Sequence, residues 1–236
     1  MIRAVLRPIS ELSSSEWSEV LSFGARFFEG AFEASLRSKH ELVMLRDHAG
    51  TLVGMGAVEM FDIDGATIIH VGNTAFADET RGQSHVQRLG FRYFLRAKTK
   101  HPLRPVYLAY TTFSWRTYLM LTRNFARSWP RREQPLPDRE GALYEKIGAR
   151  LLGDRFERDT GLVRNLDRRL RADIAALPEK LAHDADAQFF VERNPGYASG
   201  DAVLCLAPLD ARNWWSVLRR ASRRTKRTLP PSPLAG

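Results

Sequence analysis

The sequence predicts an α+β protein: a mixed, mostly antiparallel central sheet flanked by helices, with a C-terminal extension. Three strand-like runs, ELVMLRD, TLVGMGAVEMF and ATIIHVGNTAF, are separated only by the turn-forming segments 47–50 and 62–65, which predicts an antiparallel meander. Helical patterns precede and follow this meander instead of alternating with its strands. The order therefore does not fit the strict strand–helix alternation of a doubly wound parallel sheet.

Before the meander, the sequence predicts one strand and two helices. Residues 2–8 form a short apolar run typical of a strand. In SSSEWSEVLSFGARFF the apolar residues recur at helical spacing, and Ser13 with Glu16 suits a capping box at the helix start. Gly30 is a suitable stop for this helix. The segment AFEASLRSK predicts a second, short helix.

After the meander, helices and strands follow each other more irregularly. One face of the next predicted helix is apolar and consists of Val86, Leu89, Gly90, Tyr93, Phe94 and Ala97. RPVYLAYTTF then predicts a strand, SWRTYLMLTRNF a helix, and GALYEKIGA another helix beyond a proline-rich loop. The segment RLLGDRFERDTGLVRN predicts a hairpin that turns at 159–161. A charged helix over 165–182, a strand over 202–208 and a basic tail complete the chain.

The composition predicts a soluble, cytoplasmic protein. The chain has 236 residues, of which 44% are apolar and 10% aromatic, enough to bury a core. No run reaches the ~18 apolar residues that a membrane-spanning helix needs, and the N-terminus MIRAVLRPIS lacks the apolar region of a secretory signal. The single cysteine, Cys205, cannot form an internal disulfide and is expected to be a buried apolar side chain.

The positive charge is concentrated near the C-terminus. Of the net charge of +9, seven positive charges lie between residues 212 and 227 with no acidic residue among them, so the rest of the chain is near neutral. The basic composition is therefore a local property and does not make the whole domain a nucleic-acid binder. Trp214, Trp215, Leu218 and Ala221 share one face of this tail, which could dock on the core, lie on an anionic membrane surface or contact an acidic partner.

The stretch ETRGQSHVQRLG, residues 79–90, lies between the last strand of the meander and the following helix. Free N–H groups at a helix start attract anions, and Arg81 and Gly82 would add a phosphate partner and close backbone approach. Ser84 with Gln87 is equally a capping box, as is Thr80 with Gln83. From the residues alone, a phosphate-binding loop and a well-capped helix start both remain open.

The element order and this loop together resemble the GNAT superfamily of acetyl- and acyltransferases. In that superfamily the loop Gln/Arg-x-x-Gly-x-Gly/Ala holds the CoA pyrophosphate. Its place is taken here by Arg81, Gly82, Gln83, Ser84, His85 and Val86. The resemblance implies that these residues bind the pyrophosphate, and that strand residues Phe76 and Ala77 hold the pantetheine. Ser84 and Val86 replace both signature glycines, so two Cβ atoms stand where the backbone would approach the phosphates.

A second similarity is LYEKIG, residues 143–148, which resembles the superfamily's late Tyr-Glu-Lys-x-Gly helix. The resemblance covers roughly residues 1–165. It divides the chain into a GNAT-like core over 1–165 with an insertion at about 126–140, a helix and strand extension over 166–210 that packs on the core, and a basic Trp- and Arg-rich tail over 211–236.

Candidate catalytic residues follow from the same resemblance. An amine attacking a thioester must lose a proton, and His70 is the only residue on its strand face that titrates near neutrality, with Glu59 on the preceding strand as a second candidate. A satisfied core histidine is the alternative interpretation of His70. Tyr118 is preferred over Tyr144 to protonate the departing thiolate, although either could be a core tyrosine. The remaining histidines show no metal-ligand spacing, so no metal is expected.

The sequence thus predicts an N-acyltransferase that moves an acyl group, acetyl or longer, from acyl-CoA or acyl carrier protein to a primary amine of a small molecule or peptide. An acidic carrier protein would suit the basic tail. A GNAT-like scaffold that has lost catalysis and binds a partner is the alternative, motivated by Ser84 and Val86. A binder of nucleic acid or of a membrane surface, which rests on the tail alone, is a third hypothesis.

Overall fold

The computed structural model describes residues 2–80 and 85–228; of residues 79, 85 and 223–228 it describes the backbone only. In these ranges the strands are β1 (Arg3–Pro8), β2 (Phe28–Gly30), β3 (Glu41–Arg46), β4 (Leu52–Ile63), β5 (Ala66–Phe76), β6 (Val106–Thr112), β7 (Phe156–Glu157), β8 (Leu162–Val163), β9 (Arg168–Leu170) and β10 (Ala202–Pro208). The α-helices are α1 (Ser14–Ala25), α2 (Phe32–Arg37), α3 (His85–Lys100), α4 (Trp115–Asn124), α5 (Asp138–Leu152), α6 (Ala172–Ala175), α7 (Ala185–Arg193) and α8 (Ala211–Thr228). Short 3-10 turns occupy Ile9–Glu11, Asp78–Thr80, Gly153–Arg155, Glu179–Leu181 and Tyr197–Ser199.

The main sheet confirms the predicted fold class. Its eight strands lie in the order β1-β3-β4-β5-β6-β10-β8-β7, and every neighbouring pair is antiparallel except β5 and β6. A separate two-stranded ladder joins β2 to β9. The extension expected over 166–210 supplies β10, which lies inside the main sheet between β6 and β8.

Helices cover both faces of the sheet, and each covered face has its own apolar core. One core includes Val20 of α1, Leu36 of α2 and Ile147 of α5. The other core includes Tyr93 of α3 and Leu121 of α4. Alternating strand residues supply both cores because successive side chains of a strand point to opposite faces. No helix among the described residues is long and apolar enough to cross a membrane.

The predicted local signals are largely confirmed. The capping box at α1 is present: the Ser13 N–H donates to Glu16 Oε2 at 2.9 Å, and the Glu16 N–H donates to Ser13 Oγ at 3.3 Å. The meander is β3, β4 and β5, and the second turn uses left-handed backbone at Asp64 and Gly65. The hairpin at 156–163 is also present, with Gly161 at a φ of 70°.

Two predicted helices are wrong in part. The charged helix expected over 165–182 is instead β9, the single-turn α6 and a 3-10 turn, because the segment pairs with β2 and Pro178 interrupts helical hydrogen bonding. Phe28, expected near the end of the first helix, begins β2 for the same reason. Helix α7, whose N-cap Asp184 accepts a hydrogen bond from the Ala187 N–H, is absent from the predicted elements.

The first half of the basic tail is anchored to the core as α8. Asn213 is fully buried, donating to the carbonyls of Arg127 and Pro208 and accepting from the Arg127 N–H. Trp214 lies between Phe91 and Phe94 of α3, with ring centroids 5.2 and 5.3 Å away. Of the three placements left open for this face, the structure shows the docking of Trp214 on the core, while Trp215 and Leu218 remain exposed.

Candidate active site

The two parallel strands of the sheet separate part of the way along their length. β5 pairs with β6 only from Thr67 to Val71, opposite Val106 to Tyr110. Beyond this point β5 continues to Phe76 paired with β4, whereas β6 continues paired with β10. A cleft of about 490 Å³ lies at the opening, bounded by the diverging strands and by α4.

A bulge in β5 accompanies the separation. The pairing of β4 with β5 shifts between Met55 and Ala57, so that Asn73 and Thr74 of β5 lie opposite Gly56 alone. Asn73 has a φ of 51°, in the left-handed region that asparagine tolerates better than most residues. Bulges bend a strand and increase its twist, so this irregularity favours divergence of β5 from β6. It also places the buried Asn73 on the wall of the cleft, where its Nδ2 has no hydrogen-bond partner in the described part of the chain.

A second cavity, of about 250 Å³, lies on the face of the sheet that α1, α2 and α5 cover. Its lining includes His70 of β5 and Lys39, which follows the end of α2. Three residues line both this cavity and the cleft: Gly72, Thr111 and Arg168. The two spaces therefore meet beside the point where β5 and β6 diverge. We call the first space the strand cleft and the second the His70 cavity.

A polar cluster forms one wall of the His70 cavity. Glu59 of β4 lies directly across the ladder from His70. Lys39 Nζ lies 3.1 Å from Glu59 Oε2 and 3.2 Å from His70 Nδ1, and Thr111 Oγ1 lies 3.4 Å from His70 Nε2. Since an ammonium group can only donate, a charged Lys39 requires Nδ1 of His70 to accept and Nε2 to carry the proton.

Burial and charge shift all three titratable groups of this cluster. Desolvation lowers the pKa of His70 to about 4, so the imidazole is neutral at pH 7. The neighbouring imidazole and the Lys39 ammonium hold the pKa of Glu59 at about 2. Burial also lowers the pKa of Lys39, against the opposing attraction of Glu59. At neutral pH the cluster is thus an ion pair beside a neutral histidine, and the lysine gives up its proton more readily than an exposed one.

The low pKa of His70 predicts a loss of stability in mild acid. The unfolded chain binds a proton at this residue near pH 6.5, whereas the folded chain does so only near pH 4, so the free energy of unfolding falls as the pH drops through this window. The expected loss attributable to His70 is about 3 kcal/mol, at 1.36 kcal/mol per pH unit. Urea unfolding at pH 7, 5.5 and 4 measures it. His70→Gln should lose less stability over the same range, and an equal loss in that variant would contradict the assignment.

Several residues predicted to bind the donor lie at the strand cleft or next to it. Phe76 and Val86 line the cleft, together with Gln87. Ala77 is buried and its N–H donates to the Val53 carbonyl at 2.9 Å, so that amide is already used within the fold. Arg81, Gly82, Gln83 and Ser84 lie outside the described residues, as does the side chain of His85.

The two predicted tyrosines are buried in the core. Tyr118 is 1% exposed, its ring packs on Phe189 and Phe190, and its hydroxyl has no hydrogen-bond partner among the residues that the structure describes. The Tyr144 hydroxyl donates to the Leu204 carbonyl at 2.6 Å. Neither residue is among those that line the strand cleft, whereas Tyr110 of β6 is. Burial raises the pKa of Tyr110 above its usual value, so this phenol stays protonated at neutral pH.

Four residues at these cavities were missed by sequence reasoning: Lys39, Tyr110, Thr111 and Arg168. The alternation of β6 places Thr111 on the same face as Ala109, which lies opposite His70, so the register of that strand could have indicated Thr111. Tyr110 stands out in the sequence as a side chain with a hydroxyl group in the second half of the run RPVYLAYTTF. Nothing local singles out Lys39 or Arg168, which reach the site only through α2 and β9.

Comparison with known proteins yields structural matches only. No family model matches the chain, and no curated protein matches it. An acyl-CoA N-acyltransferase from Pseudomonas aeruginosa is 16% identical, with a TM-score of 0.33 over 46% of this chain and 79% of that one. A GNAT family N-acetyltransferase from Escherichia coli, solved with CoA, is 16% identical, with a TM-score of 0.36 over 52% of this chain and 67% of that one. A GNAT family acetyltransferase from Staphylococcus aureus is 12% identical, with a TM-score of 0.36 over 57% and 90%.

Two of these matches are named as members of the GNAT family, which the sequence of this chain resembles. At such identities and TM-scores the likeness does not establish an activity, since function depends on the residues of the site itself.

Proposed function

We propose that this protein is an N-acyltransferase that transfers an acyl group from a thioester donor to a primary amine. The observation that supports it is the opening of the sheet between β5 and β6, where the strand cleft meets the His70 cavity. Two cavities that meet across one opening allow a donor and an acceptor to approach each other from opposite faces of the sheet.

The strand cleft suits the extended arm of a thioester donor. Beyond Val71 and Tyr110, the facing edges of β5 and β6 are no longer bonded to each other, which leaves backbone groups for the amides of a pantetheine arm, as in the addition of a strand to a sheet edge. Arg116, Arg123 and Arg220 also line the cleft, although the charge of Arg123 is balanced by its ion pair with Asp184. This positive rim suits the phosphates of CoA or an acidic carrier protein, with the 81–86 loop as the proposed pyrophosphate site.

His70 is the proposed general base, acting through Nε2. This requires the proton of the neutral imidazole to lie on Nδ1, which then donates a hydrogen bond to a neutral Lys39 amine. The lowered pKa of Lys39 makes this arrangement accessible as the pH rises, and Glu59 accepts a hydrogen bond from Lys39 in either state. The proton then leaves the attacking ammonium for Nε2, beside Thr111, and the nitrogen lone pair attacks the thioester carbon.

A hydroxyl on the cleft wall is needed to protonate the thiolate that leaves. We assign this step to Tyr110, because it lines the cleft and stays protonated, in preference to Tyr118, which does not line it. An acceptor in the His70 cavity and a donor in the strand cleft would then exchange the acyl group near Gly72.

Thermal unfolding with CoA and a ladder of acyl-CoAs tests the donor site without knowledge of the acceptor. A ligand at ~100 times its dissociation constant should raise the free energy of unfolding by about 2.7 kcal/mol. An added Cβ at Gly72 meets open space, so Gly72→Leu should fold while obstructing the junction of the two cavities. We expect this variant to lose most of the stabilisation by acyl-CoA.

Gly141→Leu is the matched control, since a Cβ at Gly141 also meets open space but this residue does not line the strand cleft. A narrow apolar cavity of about 80 Å³ lies beneath α3 and shares Val71 and Tyr110 with the cleft. A thermal shift that grows with the length of the acyl chain would indicate that this cavity receives the chain. Absence of any shift with every acyl-CoA would leave carrier protein as the donor to test. If that also failed to bind, the transferase proposal would be wrong, and the binding scaffold would take its place.

A further inference from the structure

Arg168 of β9 lies where the strand cleft and the His70 cavity meet. It lines both spaces, and its guanidinium carbon lies 5.7 Å from the centroid of the Phe113 ring. The ladder between β2 and β9 fixes its position, since Arg168 pairs with Gly30. The side chain thus belongs to the wall shared by the two proposed substrate spaces.

Arg168 forms no direct ion pair in the described part of the chain, and the carboxylate that attracts it, Asp167, is paired with Arg155. Its neighbours are paired: Arg155 with Asp167 at 3.0 Å, and Arg169 with Glu29 at 3.0 Å. None of the described ion pairs includes Arg168, and its buried Nε has no hydrogen-bond partner. Burial lowers the pKa of Arg168 to about 10, so it remains a cation at neutral pH. A partly buried cation that shares its only attracting carboxylate with a second arginine is costly, which calls for a functional explanation.

The other charges around the cavity cancel and leave Arg168 as a local excess. Lys39 is neutralised by Glu59 at 3.1 Å, His70 is neutral, and Arg155 is neutralised by Asp167. An anion that enters the His70 cavity would therefore meet one net positive charge. A guanidinium offers parallel N–H groups that match the two oxygens of a carboxylate.

We propose that Arg168 binds the carboxylate of the amine acceptor, so that the acceptor is an amino acid or a similar small molecule that carries both groups. This inference rests on the proposed function. The amine of such a molecule would face His70 while its carboxylate pairs with Arg168 on the same cavity wall. At about 250 Å³ the cavity is below the usual size of a drug-binding pocket, and Ala31, Ala34, Leu151, Leu152 and Leu166 give it an apolar side. A small amino acid derivative with an apolar side chain fits these limits.

The test compares the binding of leucine, leucinamide and isoamylamine by calorimetry in the absence of any donor. Leucine should bind more tightly than the two ligands that lack a carboxylate. Arg168→Met should weaken leucine binding by about 10- to 100-fold and leave the other two unchanged, and Arg168→Lys should restore part of the affinity. Arg169→Met is the matched control, because the neighbouring Arg169 is exposed and paired with Glu29. Equal affinity of the wild type for all three ligands, or unchanged leucine binding in Arg168→Met, would overturn the inference.

A second set of measurements tests whether the carboxylate that Arg168 binds belongs to the thioester donor instead, since Arg168 also lines the strand cleft. Succinyl-CoA and butyryl-CoA are compared on the wild type and Arg168→Met. If Arg168 matters for succinyl-CoA and not for leucine, the acceptor assignment is overturned and the carboxylate belongs to the donor. Binding of acyl-CoA without binding of leucine would likewise refute this inference and leave the transferase proposal intact. Leucine binding without any thioester binding would instead refute the transferase proposal and leave Arg168 as a carboxylate-binding residue.

Discussion

Lys39→Met should lower the free energy of unfolding by about 3–5 kcal/mol, which is the usual cost of removing one partner of a buried ion pair. Lys39 and Glu59 are only 11% and 12% exposed, and Glu59 would keep its charge without the ammonium that now neutralises it. The methionine fills much of the space of the lysine stem, so the loss reports chiefly the stranded carboxylate. Urea unfolding at pH 7 measures it.

The double variant Lys39→Met/Glu59→Gln should recover most of this loss, because it removes the stranded charge. Lys146→Met provides the matched control: Lys146 pairs with Asp64 on the surface, where both side chains are about half exposed, and should cost at most about 1 kcal/mol. A double variant no more stable than Lys39→Met alone would show that the pair is not the source of the effect.

His70→Ala should slow acyl transfer by about 100- to 10,000-fold, the range expected when a general base is removed. Binding of the donor should be unchanged, since His70 does not line the strand cleft. The measurement is the rate of thiol release from acyl-CoA with a saturating amine acceptor, alongside the thermal shift by the same donor. Full activity of His70→Ala would exclude His70 as the base and leave it as a hydrogen-bonded core residue.

The same assay separates the two tyrosines. Tyr110→Phe should slow thiol release, whereas Tyr118→Phe removes a hydroxyl that bonds to none of the described residues and should be close to neutral for both stability and rate. The reverse result would restore Tyr118, the sequence-based choice, as the proton donor.

Local chemistry explains which parts of the fold could be predicted. The capping box at Ser13 and the turns at 47–50 and 62–65 act within a few residues, so they are legible in the sequence and are present in the structure. β9 is different. Its charged residues predict a helix, and they form a strand only because they pair with β2, which lies well over a hundred residues earlier in the chain. The position of Arg168 could not be predicted without that pairing.

The candidate site divides in the same way. His70, Glu59 and Phe76 belong to the meander, whose alternation assigns each residue to a face, and the structure brings His70 and Glu59 together as a cross-strand pair. Lys39, which follows α2, and Thr111 of β6 complete the cluster. The sequence holds no signal for the contact of Lys39 with both His70 and Glu59. The bulge at Asn73 also depends on the register of two strands, and its left-handed residue is Asn73 and not the neighbouring Gly72.

The short parallel contact of β5 with β6 also has a consequence for how the molecule assembles. It joins two antiparallel halves: β1, β3, β4 and β5 come from the first third of the chain, while β6, β7, β8 and β10 are drawn from the rest. In the first half, short turns join β3, β4 and β5, so this meander has low contact order and can form early during synthesis, whereas the pairing of β6 with β10 must wait for the end of the chain. Both cavities lie along the boundary between the halves. We therefore expect the two cavities to be completed last, when the later half docks on the meander.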